Sequence, residues 1–184
     1  MQRLNTLAEQ FKPPRDFSKY FSHYSNSEIE IRELDYSDHD KNFFQTLGQL
    51  TKVEPVGFLE FVQTLNTIKH STNLHLVIVA VLRSTELIVG TGTVIIEQKF
   101  IRGMGKIGHI EDIVVDSSMR GKNLGKTLVE CLTRIAMEEE NTYKVILDCS
   151  DKNVPFYEKL NYKKVGNNMA IYKENYMEKY AKIQ

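Results

Sequence analysis

The sequence predicts an α/β (α+β) domain on a mixed, mostly antiparallel central sheet flanked by helices. Three observations carry this. Residues 74–82 and 87–97 are apolar, β-branched runs around a short polar turn, Arg83-Ser84-Thr85-Glu86, and so predict a hairpin. Residues 108–132 read as a strand, a polar turn, a basic glycine-bearing segment and an amphipathic helix. The element order β, α, α, β, β, β, α, β, α, β, β sets a meander ahead of a βαβ unit, which gives a mixed sheet covered by helices.

The first half of the chain prepares that sheet. Residues 1–28 are polar, with Pro13-Pro14 and scattered aromatics, and predict an arm that packs on the domain or on a partner. Residues 29–34 alternate apolar and charged side chains, as a half-exposed strand does. Ser37 with Asp40 three residues on predicts a helix start, with Phe43, Phe44, Leu47 and Leu50 facing inward. A second helix follows Pro55, carrying Phe58, Phe61, Val62 and Leu65 at helical spacing. In the second arm of the hairpin, Gly90 and Gly92 mark a bulge or a close backbone approach. Residues 98–106 form a basic loop with Lys99, Arg102 and Lys106.

Beyond the central helix, residues 143–149 predict a strand, and Ser150 to Asn153 lead into a short helix over 154–160 with Pro155 in its first turn. Residues 162–165 and 169–173 are two further strand candidates, and 175–184 is a tail with a candidate terminal helix. The domain proper therefore spans 29–174.

Composition excludes several classes. The chain has 184 residues and 41% are hydrophobic, which suits one soluble domain. Lys plus Arg equals Asp plus Glu, 24 each, so no net field recruits nucleic acid or an anionic membrane, and any anion site must be local. No apolar run approaches the length of a membrane span, and the first residues lack a signal-peptide core, so a cytoplasmic location is expected. Cys131 and Cys149 fall inside a predicted helix and a predicted strand, as buried thiols in a reducing compartment would. The five histidines show no ligand spacing, and no metal is expected.

The chemistry gathers in the central stretch. Helix starts present backbone N–H groups without helical partners, and Arg120, Lys122 and Lys126 add full charges beside one. This is an anion cradle next to two adjacent carboxylates, Glu111 and Asp112. On a regular strand those carboxylates point to opposite faces, and a bulge would break that alternation.

Residues 108–125 and the element order resemble the GNAT acyltransferases, whose loop pattern Arg/Gln-x-x-Gly-x-Gly/Ala is matched by Arg120 and Gly125, with Asn123 where glycine is usual. Asparagine is the side chain that best tolerates a left-handed backbone there. Gly-His-Ile-Glu-Asp-Ile-Val-Val at 108–115, Tyr-Lys-Val-Ile-Leu-Asp-Cys at 143–149 and Asn-Val-Pro-Phe-Tyr-Glu-Lys at 153–159 are similar to the eukaryotic glucosamine-6-phosphate N-acetyltransferases. So are Leu-Gly-Gln-Leu-Thr at 47–51 and Glu-Gln-Lys-Phe-Ile at 97–101.

That resemblance implies a homodimer that moves acetyl from acetyl-CoA to the 2-amino group of glucosamine 6-phosphate, without metal, on the way to UDP-N-acetylglucosamine. It implies that Glu111, Asp112 and Ile113 line the acetyl channel and the substrate. It assigns Arg120, Gly121, Lys122, Asn123, Leu124 and Gly125 to the CoA pyrophosphate, with Asn153 near the cofactor. It gives Asp148 the substrate amine and Tyr157 the CoA sulfur, and gives the sugar phosphate Thr51, Lys99, Phe100, Ile101 and Arg102. Where the family has a phosphate-contacting arginine from the neighbouring subunit, this chain has Tyr172, followed by Lys173. Lys173 takes over, Arg102 compensates, or phosphate binding differs.

Read singly, these residues have plainer roles: a polar turn before a helix, a strand-end Asp148, a core Tyr157, a solvated Lys99 and Arg102. His109 reads as structural. Aminolysis of a thioester uses a carboxylate to receive the ammonium proton, backbone donors such as the Ile113 N–H for the oxyanion, and a tyrosine donor for the departing thiolate. Two other readings share the cradle. One is a GNAT acting on a polyamine, an antibiotic or a peptide N-terminus; the other is a non-catalytic acetyl-CoA-binding module.

Overall fold

Alternation and β-branching build one five-stranded sheet in the order β1 (Ile29–Glu33), β2 (His75–Leu82), β3 (Leu87–Gln98), β4 (Lys106–Val115) and β5 (Lys144–Leu147). The first four strands pair antiparallel, and β5 runs parallel to β4, with Leu147 opposite Ile110. A computed structural model describes residues 15–172, and these fall into two compact units divided between Leu147 and Asp148.

In the first unit, α1 (Ser18–Tyr24), α2 (Phe43–Leu47), α3 (Phe58–Lys69) and α4 (Leu124–Arg134) join the sheet. The apolar stripe read from the sequence is the buried one: Leu124, Leu128, Val129, Leu132, Ile135 and Ala136 are all in the core. This back face is close-packed. A Cβ on Gly90 would come 3.2 Å from Leu128, and one on Gly92 would come 3.1 Å from Leu132. The two glycines therefore let α4 lie against the sheet. After Arg134 the helix widens into a π-turn over Ile135–Glu139.

The opposite, front face carries α2 and α3. Leu34, Phe43, Phe61, Leu65, Val77, Val79 and Val81 form its core. The arm ends in α1, where the buried Tyr20 hydroxyl donates toward Glu138 and Glu139 at 3.0 and 2.8 Å. Burial, then those carboxylates, push the Tyr20 phenol up to about 12.

Several expectations need correction. The helix start assigned to Ser37 is capped by Asp35, in a reciprocal box with Asp38 around a 3₁₀ turn, Tyr36–Asp38. The following α2 starts after a left-handed Asn42. Leu50 and Phe58 are exposed rather than inward, at 48% and 58%. Cys131 is buried, and burial pushes its thiol up to about 12; Cys149 is exposed because β5 has ended at Leu147. The second unit, Asp148 onward, holds a 3₁₀ turn (Asp151–Asn153) and α5 (Val154–Glu158). Residues 162–165 and 169–172 form no strand. The strand over 169–173 and the terminal helix extend outside the described residues. No helix among the described residues is long and apolar enough to cross a membrane.

Candidate active site

The site grows from a defect in β4. Thr91 pairs with Val114, but Thr93 pairs with Glu111, so Asp112 and Ile113 together face Gly92 alone. This is a β-bulge, and it puts Asp112 in the left-handed region at φ 53. Gly92 is what permits it: a Cβ there would lie 2.4 Å from the Ile113 Cδ1. The expected alternation fails, and Glu111 and Asp112 line the same front-face cavity.

That cavity has a volume of about 510 Å³ and lies between β2–β4 and α2–α3. Its far wall is mostly apolar, with Phe43, Phe61 and Leu65 beside Glu60 and Thr64, while Thr93 and His75 join the carboxylates on the sheet side. Burial lowers the pKa of His75, and the Asp112 charge works against that shift. His75 was not singled out in the sequence; an isolated histidine at a strand start carries no signal of its own.

The basic loop follows β4 directly. A 3₁₀ turn, Ser117–Met119, is capped by Asp116, whose carboxylate accepts from the Ser118 N–H at 2.9 Å. Gly121 has φ 80 and Asn123 φ 62, and α4 begins at Leu124. Asparagine thus supplies the left-handed residue where the pattern calls for glycine. Nothing lies within 4 Å of a Cβ built on Gly121, so the loop has an open side. The first-turn N–H groups of α4, this open side and the exposed Arg120, Lys122 and Lys126 fit a pyrophosphate.

The three cations rest on neighbours. Arg120 donates to the Val115 carbonyl at 3.3 Å and to Gln49 Oε1 at 3.4 Å, Lys122 meets Glu28 at 3.2 Å, and Lys126 meets Glu130 at 3.8 Å. Gln49 also donates to Asp116 at 2.6 Å and accepts from the Ser117 N–H at 2.9 Å. It ties the loop to the segment after α2. Gln49 lies inside a motif the sequence flags, but its partners are 67 residues or more away and invisible there.

The residues expected at the sugar phosphate lie outside this cavity. Thr51 is exposed, and neither it nor Lys99 to Arg102 lines the cavity. Lys99 pairs with Glu97, and Glu97 Oε2 lies 2.9 Å from His109 Nε2. The tip beyond is closed by the Lys99 N–H donating to the Gly105 carbonyl at 2.8 Å. Arg102, Gly103 and Met104 are all left-handed, at φ 57, 64 and 61. The Arg102 guanidinium stacks 6.0 Å from the Tyr143 ring centroid. Phe100 is 91% exposed and Ile101 points outward as well.

In the second unit, Asp148 Oδ2 accepts from the Asn168 amide at 2.7 Å, a partner the sequence did not suggest. Asn153 ends the 3₁₀ turn before α5. Tyr157 packs edge-on against Phe156 and Tyr162, with centroids 4.9 and 6.0 Å away. Burial first, then the nearby Cys149, raises its phenol, so it stays a proton donor through the neutral range. Asp151 pairs with Lys164 at 2.9 Å. Tyr172, where an arginine was expected, is 70% exposed; Lys173 lies outside the described residues.

The model of the acetyltransferase (GNAT) family matches residues 6–162. Glucosamine 6-phosphate N-acetyltransferase 1 of Dictyostelium discoideum is 43% identical over 144 residues, 78% of this chain and 90% of that protein. The glucosamine 6-phosphate N-acetyltransferase of Arabidopsis thaliana is 46% identical over 131 residues, 71% of this chain and 87% of that one. A crystal structure of the Arabidopsis thaliana enzyme superposes with TM-score 0.76 at 43% identity, covering 79% of this chain and 98% of that one. A Trypanosoma brucei acetyltransferase structure gives 0.73 at 37%, covering 78% and 99%. With the bulged acidic strand, the glycine loop and α4 in the order that the family pattern requires, the chain belongs to the acetyltransferase (GNAT) family, on the branch of the eukaryotic glucosamine 6-phosphate N-acetyltransferases.

Proposed function

We propose that the chain transfers acetyl from acetyl-CoA to the 2-amino group of glucosamine 6-phosphate, giving N-acetylglucosamine 6-phosphate and CoA on the route to UDP-N-acetylglucosamine. The observation that carries this is identity of 43–46% with glucosamine 6-phosphate N-acetyltransferases over nearly their whole length. Of the mixed readings, a non-catalytic acetyl-CoA module has the least support, since Asp148 and Tyr157 are both present.

The steps follow from the side chains. The loop over residues 120–125, with Asn153, receives the CoA phosphates, and Ile113 offers its N–H to the thioester oxygen. The substrate amine arrives largely as an ammonium, and Asp148, with Glu111 and Asp112 as further carboxylates, takes its proton. The freed nitrogen attacks the thioester carbon directly: a C–N bond forms, the C–S bond breaks, Tyr157 gives its proton to the departing thiolate, and the second proton shed by the nitrogen restores the phenol through solvent. Neither cysteine is needed. The buried Cys131, with its thiol pushed up to about 12, stays protonated and is no nucleophile at neutral pH. Most of the acceleration comes from holding two substrates together. Thr51, Lys99 and Arg102, with Lys173, are the candidates for the phosphate. A homodimer in the cytoplasm completes this reading, and sedimentation would check the assembly.

Thiol release from acetyl-CoA, with glucosamine 6-phosphate, glucosamine and spermidine as competing acceptors, tests the proposal. Preference for the phosphorylated sugar is expected. Tyr172 in place of arginine favours the rival reading of a different amine, and equal rates with and without the 6-phosphate would establish that rival.

A further inference from the structure

Resting on the reading of Lys99 as a phosphate contact, we propose that Glu97 is a positioning residue: it fixes the Lys99 ammonium for the sugar phosphate and is itself anchored to β4 through His109. Glu97 stands at the end of β3, opposite Ile107 of β4. His109 is two residues further along β4 and therefore on the same face, and Glu111 is two further still. One carboxylate oxygen takes the Lys99 ammonium and the other meets His109 Nε2 at 2.9 Å. The chain of contacts thus runs from the loop that would hold the phosphate to the strand that carries the acidic bulge.

The chemistry suits positioning better than competition. A lysine ammonium has three donors on a flexible stem. Glu97 occupies one and leaves the others for phosphate oxygens, while His109 holds the carboxylate against the sheet. Lys99 first and His109 second hold the Glu97 carboxyl below its ordinary range. Lys99 also closes the loop by its backbone, through the Gly105 carbonyl at 2.8 Å, so side chain and backbone are both fixed. The rest of the tip, with three left-handed residues, is kept in one shape by these contacts and by the Gln98 amide on the Gly105 carbonyl at 3.2 Å.

The test compares KM and kcat for glucosamine 6-phosphate and for glucosamine in the wild type, Glu97→Gln, Lys99→Met and the double variant. Because the pair is solvent-exposed, Glu97→Gln is expected to raise KM for glucosamine 6-phosphate by about two- to fivefold with kcat little changed. Its KM for glucosamine should not move, and the double variant should be no worse than Lys99→Met alone. His109→Gln should move the same KM in the same direction by less. The proposal is overturned if Glu97→Gln lowers the KM, which would make the carboxylate a competitor of the phosphate. It is equally overturned if both acceptors suffer alike, if only Lys99→Met has an effect, or if Lys99→Met has none. Failure of the wild type to prefer glucosamine 6-phosphate would instead bring down the acceptor assignment itself, so the two failures are separate.

Discussion

The two faces of the sheet solve opposite problems. On the back, Leu128, Val129, Leu132 and Ile135 have no exposed surface, and glycines at 90 and 92 let the helix close on the strands. On the front, two helices cover the same strands and leave a cavity of about 510 Å³ whose sheet side carries Glu111 and Asp112. One face is filled and the other is kept open. The bulge joins them: Gly92 on the packed side makes room for Ile113, and Asp112 turns into the open side. A site built this way has its floor set by close packing on the other face of the sheet.

The difference in packing has a thermodynamic sign. Leu132→Ala should destabilise by about 3–5 kcal/mol, the range for a fully enclosed leucine, because its close-packed neighbours relax only partly into the gap. Leu65→Ala should cost about 2–3 kcal/mol: Leu65 is buried too, but it borders the cavity, so truncation widens an existing space instead of opening an enclosed one. Urea unfolding midpoints of the two variants would decide. Equal losses would mean that the front face is as filled as the back.

The second expected effect is on activity and should leave stability alone. Glu111→Gln is nearly isosteric, so the unfolding midpoint should hold while turnover falls on the order of 100-fold through loss of a proton acceptor. Turnover numbers under saturating substrates would measure it. Turnover unchanged with Glu111→Gln, but lost with Asp148→Asn, would assign the proton transfer to Asp148 alone.

What the sequence made legible divides along the same line. The buried stripe of α4 follows from a 3.6-residue period, a local property, and every residue assigned to it is in the core. The hairpin of β2 and β3 is local too. The bulge is not: its position depends on how many β4 residues face one β3 residue, a count made between strands. The triad of Glu97, Lys99 and His109 and the latch by Gln49 also join residues that are distant in sequence or offset between strands. The misplaced helix cap has a different cause. Asp35 with Asp38 and Ser37 with Asp40 carry the same spacing two residues apart, and only the turn's backbone decides between them. The C-terminal strand candidates fail because a strand requires a neighbour to pair with, which a short segment cannot show by itself. Residues 162–172 have none among the described residues.

A third prediction concerns the front-face frame. Arg32 grips Asp38 at 2.6 and 2.7 Å, and the Asp35 N–H donates to the same carboxylate at 2.8 Å. Burial works to raise the Asp38 carboxyl, but Arg32, the Asp35 N–H and Lys41 outweigh it and hold it below its ordinary value. Asp38→Asn keeps one acceptor and strands the guanidinium, which is partly exposed, so the cost should be about 2 kcal/mol. The sign with pH follows from a depressed carboxyl. Its contribution is complete above the unfolded value near 3.8 and disappears as pH falls through the lower folded value. Unfolding midpoints of wild type and Asp38→Asn should therefore differ most at neutral pH and converge below about pH 4. A gap that widens in acid would contradict the pairing.

The smallest effect is the most diagnostic of how the faces are joined. In a regular strand alanine is better than glycine by about 0.5–1 kcal/mol, because glycine loses more backbone entropy on folding. At a left-handed position the order reverses, since a Cβ there costs about 1–2 kcal/mol. Asp112 has φ 53, so Asp112→Gly should be more stable than Asp112→Ala by about 1 kcal/mol. Both substitutions remove the same carboxylate, and any catalytic loss should be similar in the two. The difference in unfolding midpoint therefore isolates the backbone. If alanine proves the more stable, Asp112 lies on a regular strand, Glu111 and Asp112 point to opposite faces, and the open side of the sheet keeps only one of its carboxylates.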